Sequence, residues 1–466
     1  MTAEHETTMG MFLEEAVIQE FRAALRGELL RPSENSYDAA RKVFNGMIDK
    51  RPALIVRCAG VADVINAVNF ARTNELLVAV RCGGHNVAGY AVCDGGIVID
   101  LSQMKGMRVD PSTHMARAEA GLTWGEFNHE AQAFGLAATG GFVSTTGIAG
   151  LTLGGGLGWL VRKYGLALDN LLSVDIVTAD GQFLTASETE NQELFWGVRG
   201  GGGNFGIATS FEYRIYPVGE VLAGIVLHPQ SNLTEVLQFY RDYIASGVPD
   251  ELTSGALVFT APDGVPVVII YMVYAGPIEE GEQVVKPLRE FGPPVADQVR
   301  PMPYMEVQTM ADELWPHGFQ NYWKSNFLED LSDDAIDTIT TYSTTIPSPR
   351  TTVIIEHDGG AANYVSKDET AFNHRDESYN LLITSLWADP AESETNIQWT
   401  REFWEAMQSF TPGAVYVNYL GAEGEDRIKA AYGANYERLV DLKNKYDPTN
   451  LFRLNQNIKP DAVRTM

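Results

Sequence analysis

Three glycine-dense turns, together with the elements that flank them, constrain this chain more than any other feature. The first follows an apolar run, Leu77 to Arg81, that reads as a strand and ends in Gly83-Gly84-His85. Glycines at 83, 84 and 89 remove the Cβ atoms that would block close approach or positive φ, and adjacent N–H groups there can form a nest for phosphate oxygens. The second run spans residues 147–158 and the third residues 200–206. Gly201, Gly203 and Gly206 satisfy the G-x-G-x-x-G spacing of a dinucleotide fingerprint, which requires a strand before it and a helix after it. Here the order is reversed: Glu193 to Arg199 reads as a helix, and Ile207, Thr209, Phe211, Tyr213 and Ile215 alternate as a strand. That order argues against a nicotinamide Rossmann frame, and no glycine is followed by lysine, which excludes a P-loop. Singly, each run could be an ordinary tight turn. Jointly, beside Thr, Asn and His donors, the three can cradle an extended ligand with a pyrophosphate centre and a planar ring.

At 466 residues the chain has room for two domains sharing an interface. Its formal charge of -27 argues against nucleic acid and anionic membranes, both of which would repel it. No apolar stretch approaches a spanning helix, and the opening Met1 to Glu6 lacks the basic start of a secretory signal, so a cytoplasmic protein is expected. Cys58, Cys82 and Cys93 have neither CxxC nor finger spacing and read as free thiols, and no metal site is expected.

Along the chain, residues 11–27 carry helical spacing at Met11, Phe12, Val17, Ile18 and Phe21. From Leu54 a strand, a helix over Val61 to Thr73 and the strand ending at Arg81 set an α/β rhythm. Further strands are expected at Ile97 to Leu101, at Ala116 to Ala120, and as a hairpin over Val174 to Leu184 turning at Asp180-Gly181. Beyond Pro217, runs such as Val267 to Tyr271 and Thr352 to Glu356, interleaved with acidic helical stretches such as Pro277 to Phe291, predict a second, α+β region on an antiparallel sheet.

Five motifs in order then carry a family likeness: R-x-G-G-H-N-x-x-G-Y at 81–90, G-I-A-G-L-x-L-G-G-G-L-G at 147–158, R-K-Y-G-L-A-x-D-N at 162–170, V-T-A-D-G at 177–181 and G-G-N-F-G at 202–206. With Tyr416 to Tyr419 and Tyr446 to Ile458, the chain resembles the berberine-bridge-enzyme-like branch of the vanillyl-alcohol-oxidase flavoproteins over about residues 36–460. The resemblance implies an α+β protein: a two-subdomain FAD-binding domain at 36–218 and a substrate domain at 219–410 whose antiparallel sheet is covered by helices. An extension at 1–35 precedes them, and a C-terminal segment at 411–466 returns to the FAD domain.

The same resemblance implies FAD contacts. Around the first turn these are Arg81, Cys82, Gly83, Gly84, His85, Asn86 and Gly89. Around the second they are Thr145, Thr146, Gly147, Gly150, Leu151, Gly154, Gly155 and Gly158. Asn204, Gly206 and Ile207 follow at the third, and Asn418, Asn455 and Asn457 lie in the C-terminal segment. His85 matches the family's histidine that bonds the flavin covalently. Many relatives add a bond from a cysteine four residues before the glycine that here is Gly147; this chain has Val143, so a single histidyl bond is expected. Thr146, immediately before Gly147, matches a position where small residues go with oxygen access, which favours an oxidase.

Oxidation of a C–H bond beside a hydroxyl needs a base for the hydroxyl proton. Tyr419 matches the family's active-site tyrosine, with Asn418 a candidate partner for the ring edge. A tyrosine in an alternating apolar strand is also ordinary core, and an unperturbed phenol titrates near ~10, so its surroundings must poise it to act near neutrality. Glu356 and Asp358 are the alternative bases: strand alternation puts them on one face and His357 on the other. An acidic strand end facing solvent is the competing explanation for that pair. In some relatives the matching strand carries a lysine where this chain has Ile354, which speaks against amine chemistry. The resulting expectation is an FAD-dependent oxidase of a small alcohol, sugar or cyclic metabolite that delivers electrons to molecular oxygen as hydrogen peroxide. A dehydrogenase, an amine oxidase or a ligand-binding flavoprotein without turnover stays open.

Overall fold

A computed structural model describes residues 13–464. Met11 and Phe12 of the leading helical pattern lie outside the described residues; the helix itself runs over Glu15–Ala23 and buries Ile18 and Phe21. Among the described residues, no helix is long and apolar enough to cross a membrane.

The first half of the chain builds two sheets. In the smaller, Leu54–Arg57, Ile97–Asp100 and Val78–Arg81 run parallel, with Glu28–Leu30 antiparallel at the edge. The helix Val61–Thr73 makes the parallel crossover and buries Val64, Ala67, Val68 and Ala71. The second sheet is antiparallel, in the order Met107–Asp110, Met115–Glu119, Ile207–Arg214, Leu171–Val177, Phe183–Ser187. Its last hairpin turns at Asp180-Gly181, as the dipeptide predicts, with Gly181 at φ 81°.

The second half is one large antiparallel sheet. Its long strands are, in spatial order, Glu220–Pro229, Pro266–Tyr274, Leu252–Thr260, Thr352–His357, Tyr379–Trp387 and Gln320–Leu328. Alternation divides each strand between two cores. Val268, Ile270 and Met272 pack with residues of the helices Leu233–Ala245, Asp333–Ser343 and Ser393–Ala406, while Val267, Ile269 and Tyr271 face the first half of the chain. The helices therefore cover one face only, which leaves the other to roof a site.

Buried polar contacts hold that roof in register. Asn45 donates to the carbonyls of Val87 and Asn321, at 2.8 and 2.9 Å, and its Oδ1 accepts from the Asn321 N–H. Asn128 donates to Gln308 at 2.7 Å, and Gln308 donates to the Gly141 carbonyl at 2.8 Å.

Candidate active site

Between the glycine turns and the roof lies a cavity of about 530 Å³, within the range of small-molecule sites. Much of its floor is glycine backbone. A Cβ on Gly83 would overlap Gly147, and one on Gly147 would overlap Gly83, so the first two glycine turns touch main chain to main chain. Gly150 and Gly203 have open space where a Cβ would stand, and both line the cavity.

His85 is presented beside that contact. Its Nε2 lies 2.9 Å from Thr145 Oγ1, and its ring stacks on Phe44 at 4.5 Å, with His317 edge-on at 5.0 Å. Burial, helped by His317, pushes its pKa down to about 3. The imidazole is thus neutral at physiological pH and keeps a lone pair for bonding to carbon.

The third glycine turn is held from the C-terminal segment. Asn204 Oδ1 accepts from the Ile458 N–H at 2.9 Å, and its Nδ2 donates to the Gln456 carbonyl at 3.1 Å. Fully buried Lys443 donates to the carbonyls of Asn204 and Phe452, each at 2.9 Å, and to Asp447 at 2.7 Å. Removing one partner of such a pair strands a buried charge and costs about 3–5 kcal/mol.

At the roof, Tyr419 and Glu356 meet. The Tyr419 hydroxyl donates to Glu356 Oε1 at 2.8 Å, and Asn380 donates to Oε2 at 2.9 Å. Glu356 is 4% exposed and lines the cavity, so the solvent-facing explanation for this strand end fails. Burial and the charge of Asp358 raise its pKa to about 8. Tyr419 belongs to a short 3-10 turn, Val417–Tyr419, not to a strand. Its pKa is driven well above the ordinary phenol value, by burial first and then by Glu356, which is the reverse of the poising expected from sequence. Of the two, Glu356 is the better proton acceptor and Tyr419 the donor that reaches it.

Asp358 separates from its neighbour. The strand ends at His357, and Asp358, although buried, does not line the cavity. Its carbonyl accepts from buried Arg162 at 2.8 Å, and burial lifts its carboxyl to about 7. His357 sits 3.4 Å from Arg162 and faces the helices' side, as alternation predicts. Arg162 opens one of the sequence motifs, yet nothing in its local sequence announces that contact.

Most of the expected floor residues do converge on the cavity: Cys82, Gly83, Gly84, His85 and Asn86; Thr146, Gly147, Gly150, Leu151 and Gly154; Asn204, Gly206, Ile207, Asn418 and Asn455. Others stand behind it. Arg81 donates to the Ala40 carbonyl, Gly89 packs on Ile48, and Thr145 supports His85. Gly155 admits the Tyr416 ring, Gly158 approaches the Gly140 carbonyl, and Asn457 buries an Oδ1 with no protein partner off the cavity. Asn418 is committed to the Leu151 carbonyl at 2.9 Å and the Tyr416 hydroxyl at 2.8 Å, which leaves its Nδ2 no free hydrogen. His374 and Arg375 are structural: Arg375 forks onto Asp169 at 2.7 and 2.8 Å, and His374 Nε2 lies 3.0 Å from the Ala431 carbonyl.

Comparison with known proteins is decisive at this point. Residues 52–187 match the FAD binding domain family, and residues 415–459 match the berberine and berberine-like family. An FAD-linked oxidoreductase of Dictyostelium discoideum is 32% identical over 95% of this chain and 97% of its own length. The chain is an FAD-linked oxidoreductase of the berberine-bridge-like family. (R)-6-hydroxynicotine oxidase of Paenarthrobacter nicotinovorans is 32% identical over 94% of this chain and 98% of its own. The crystal structure of 6-hydroxy-D-nicotine oxidase from Arthrobacter nicotinovorans superposes with a TM-score of 0.87 at 31% identity, covering 94% of this chain and 98% of that one. A xylooligosaccharide oxidase from Myceliophthora thermophila, at 24% identity and a TM-score of 0.83 over 96% and 99% of the two chains, shares the fold.

The residues of this flavoprotein-family chain fit FAD. The side-chain-free surfaces at Gly150 and Gly203 admit a ligand against the main chain, and Asn455 Oδ1, buried without a protein partner, borders the same cavity.

Proposed function

We propose that this oxidoreductase is an oxidase of a small molecule, with FAD attached through His85 alone and a proton path from Tyr419 to Glu356. The observation that carries the reading is the Tyr419–Glu356 hydrogen bond in a cavity whose opposite wall is the glycine floor that presents His85. Bound FAD supplies a two-electron acceptor, so that an alcohol and molecular oxygen become the corresponding carbonyl compound and hydrogen peroxide.

The protein's part is to bind, orient and move protons. The Tyr419 hydroxyl accepts the substrate's hydroxyl proton as its own passes to Glu356 Oε1; Asn380 holds the other oxygen of that carboxylate in place. Asp358 acts from outside the cavity, as a charge that raises Glu356. Neutral His85 is suited to a covalent tether, and Val143 at the cavity edge offers no second nucleophile. Thr146 lines the cavity with a small side chain and is read as the oxygen gate. We divide the chain at 218/219 and 410/411; the start of the roof sheet at Glu220 and the position of Tyr419 in the returning segment support that division.

Acid precipitation of fully loaded protein tests the tether. Yellow colour should stay in the pellet, and the denatured band should fluoresce on a gel; His85→Ala should release all its flavin. Complete release from the parent protein would overturn the histidyl assignment.

A further inference from the structure

Resting on the oxidase reading above, we propose that the substrate is a neutral alcohol on a flat, largely apolar ring skeleton, oxidised at the carbon bearing its hydroxyl, and that sugars, anions and cationic amines are excluded. The roof decides this. From the sheet, Ile225, Leu257, Ile269, Ile354 and Leu382 present aliphatic surface, and Trp315 and Trp323 add two large ring faces.

The tryptophans offer carbon only. Trp315 Nε1 donates to Thr384 at 3.2 Å, Trp323 Nε1 to Asn321 at 3.2 Å, and Trp159, on the facing side, to the Phe142 carbonyl at 3.1 Å. Their N–H groups are spent inside the protein, so each ring stacks but none reads a hydroxyl. A sugar entering here would leave several hydroxyls without partners, each at a desolvation cost that the wall does not offset. No lysine or arginine lines the cavity among the described residues, which removes any counter-charge for a carboxylate or phosphate.

Polar groups gather at one corner instead. Glu356 pairs with Gly255 across neighbouring strands, and the Tyr271 hydroxyl lies over Gly255 where a side chain would otherwise stand. Glu356, Tyr419 and Tyr271 thus form one patch that suits a single hydroxyl group. Glu356 already accepts from Tyr419 on one oxygen and Asn380 on the other, and the second carboxylate of the lining, Glu313, is exposed to solvent, so no buried carboxylate is left unpaired to hold an ammonium. Near Met310 the wall can adapt to differing ring shapes, since a thioether chain is flexible.

The test uses the holoprotein under anaerobic conditions with three probe sets: benzylic and cinnamylic alcohols, glucose and cellobiose, and benzylamine. Binding is read from the flavin difference spectrum and reaction from bleaching. The aromatic alcohols should shift the spectrum and bleach it, while the sugars and the amine do neither at equal concentration. Sugars or amine bleaching faster than every aromatic alcohol overturns the substrate class and leaves the oxidase reading standing. Aromatic alcohols that shift the spectrum but never bleach it sink the oxidase reading and leave the class. No shift with any aromatic alcohol overturns the class. Trp323→Ala should raise KM for the aromatic alcohols about tenfold, with a smaller change in kcat; equal KM in both proteins removes Trp323 as the stacking face.

Discussion

The floor and the roof of the cavity are made of different material. The floor is main chain brought into contact by glycines, as where Gly83 meets Gly147, whereas the roof is a row of side chains that alternate out of an antiparallel sheet. A floor of that kind has one acceptable residue at each contact. The roof is a surface on which size and polarity vary while the backbone stays put. On the proposed reading, cofactor retention belongs to the first and substrate choice to the second.

The strongest way to break this contrast is Gly83→Val. The added carbons would have to displace the Gly147 backbone, so the protein should purify folded by circular dichroism but without flavin absorbance. Normal flavin content would show that the floor tolerates side chains after all.

Next in size is Glu356→Gln, which should lower the rate of anaerobic flavin reduction about a hundred- to ten-thousand-fold while leaving flavin content unchanged. In the parent protein kcat/KM should climb as pH rises through about 8, where Glu356 loses its proton and becomes able to accept one, and that rise should vanish in the variant. The sign for stability is opposite. A carboxyl raised from 4.5 to about 8 on folding binds its proton more tightly in the folded state, so its contribution to stability declines as pH rises across that window. Chemical denaturation of the parent at several pH values should show the decline, and Glu356→Gln should reduce it, leaving the part that Asp358 contributes by the same burial. A Tyr419→Phe protein that reduces its flavin at the parent rate would move the proton path off the phenol.

Thr146→Leu sits on the floor's rim and should act on one half-reaction only. Crowding a lined space costs about 1–3 kcal/mol, equivalent as a barrier to reoxidation slowed about 5- to 150-fold. Stopped-flow mixing with oxygen checks this, and equal reoxidation in both proteins removes the gate. The smallest effect is expected from Leu382→Val on the roof: full flavin content, with kcat/KM for an apolar alcohol about tenfold lower through one lost methylene contact.

Much of the floor was legible in the chain, because glycine runs, a histidine and their flanking periodicities are local signals. The reversed order around residues 200–206 was enough to turn the reading away from a Rossmann frame, and the strand Ile207–Arg214 bears that out. The roof's chemistry was not legible in the same way. Glu356 acquires its partners only through register with Asn380 and through the return of the chain at Tyr419, 63 residues later. Burial by that return is also what reverses the expected poise of the phenol. Trp315 and Trp323 look like any core tryptophans until Thr384 and Asn321 are seen to take up their N–H groups.

The clamp on the third glycine turn carries a consequence for how the molecule is made. Lys443 and the Ile458 N–H reach Asn204 from 239 and 254 residues downstream. During synthesis, the turn that must close over one end of the ligand stands without its lock while the whole roof sheet is translated. An emerging polypeptide can fold its early sheets, but it encloses its ligand only after residue 458 has left the ribosome. On the proposed reading loading is therefore a late event, and nascent chains cut short before that point are expected to be colourless whatever the state of their first two sheets.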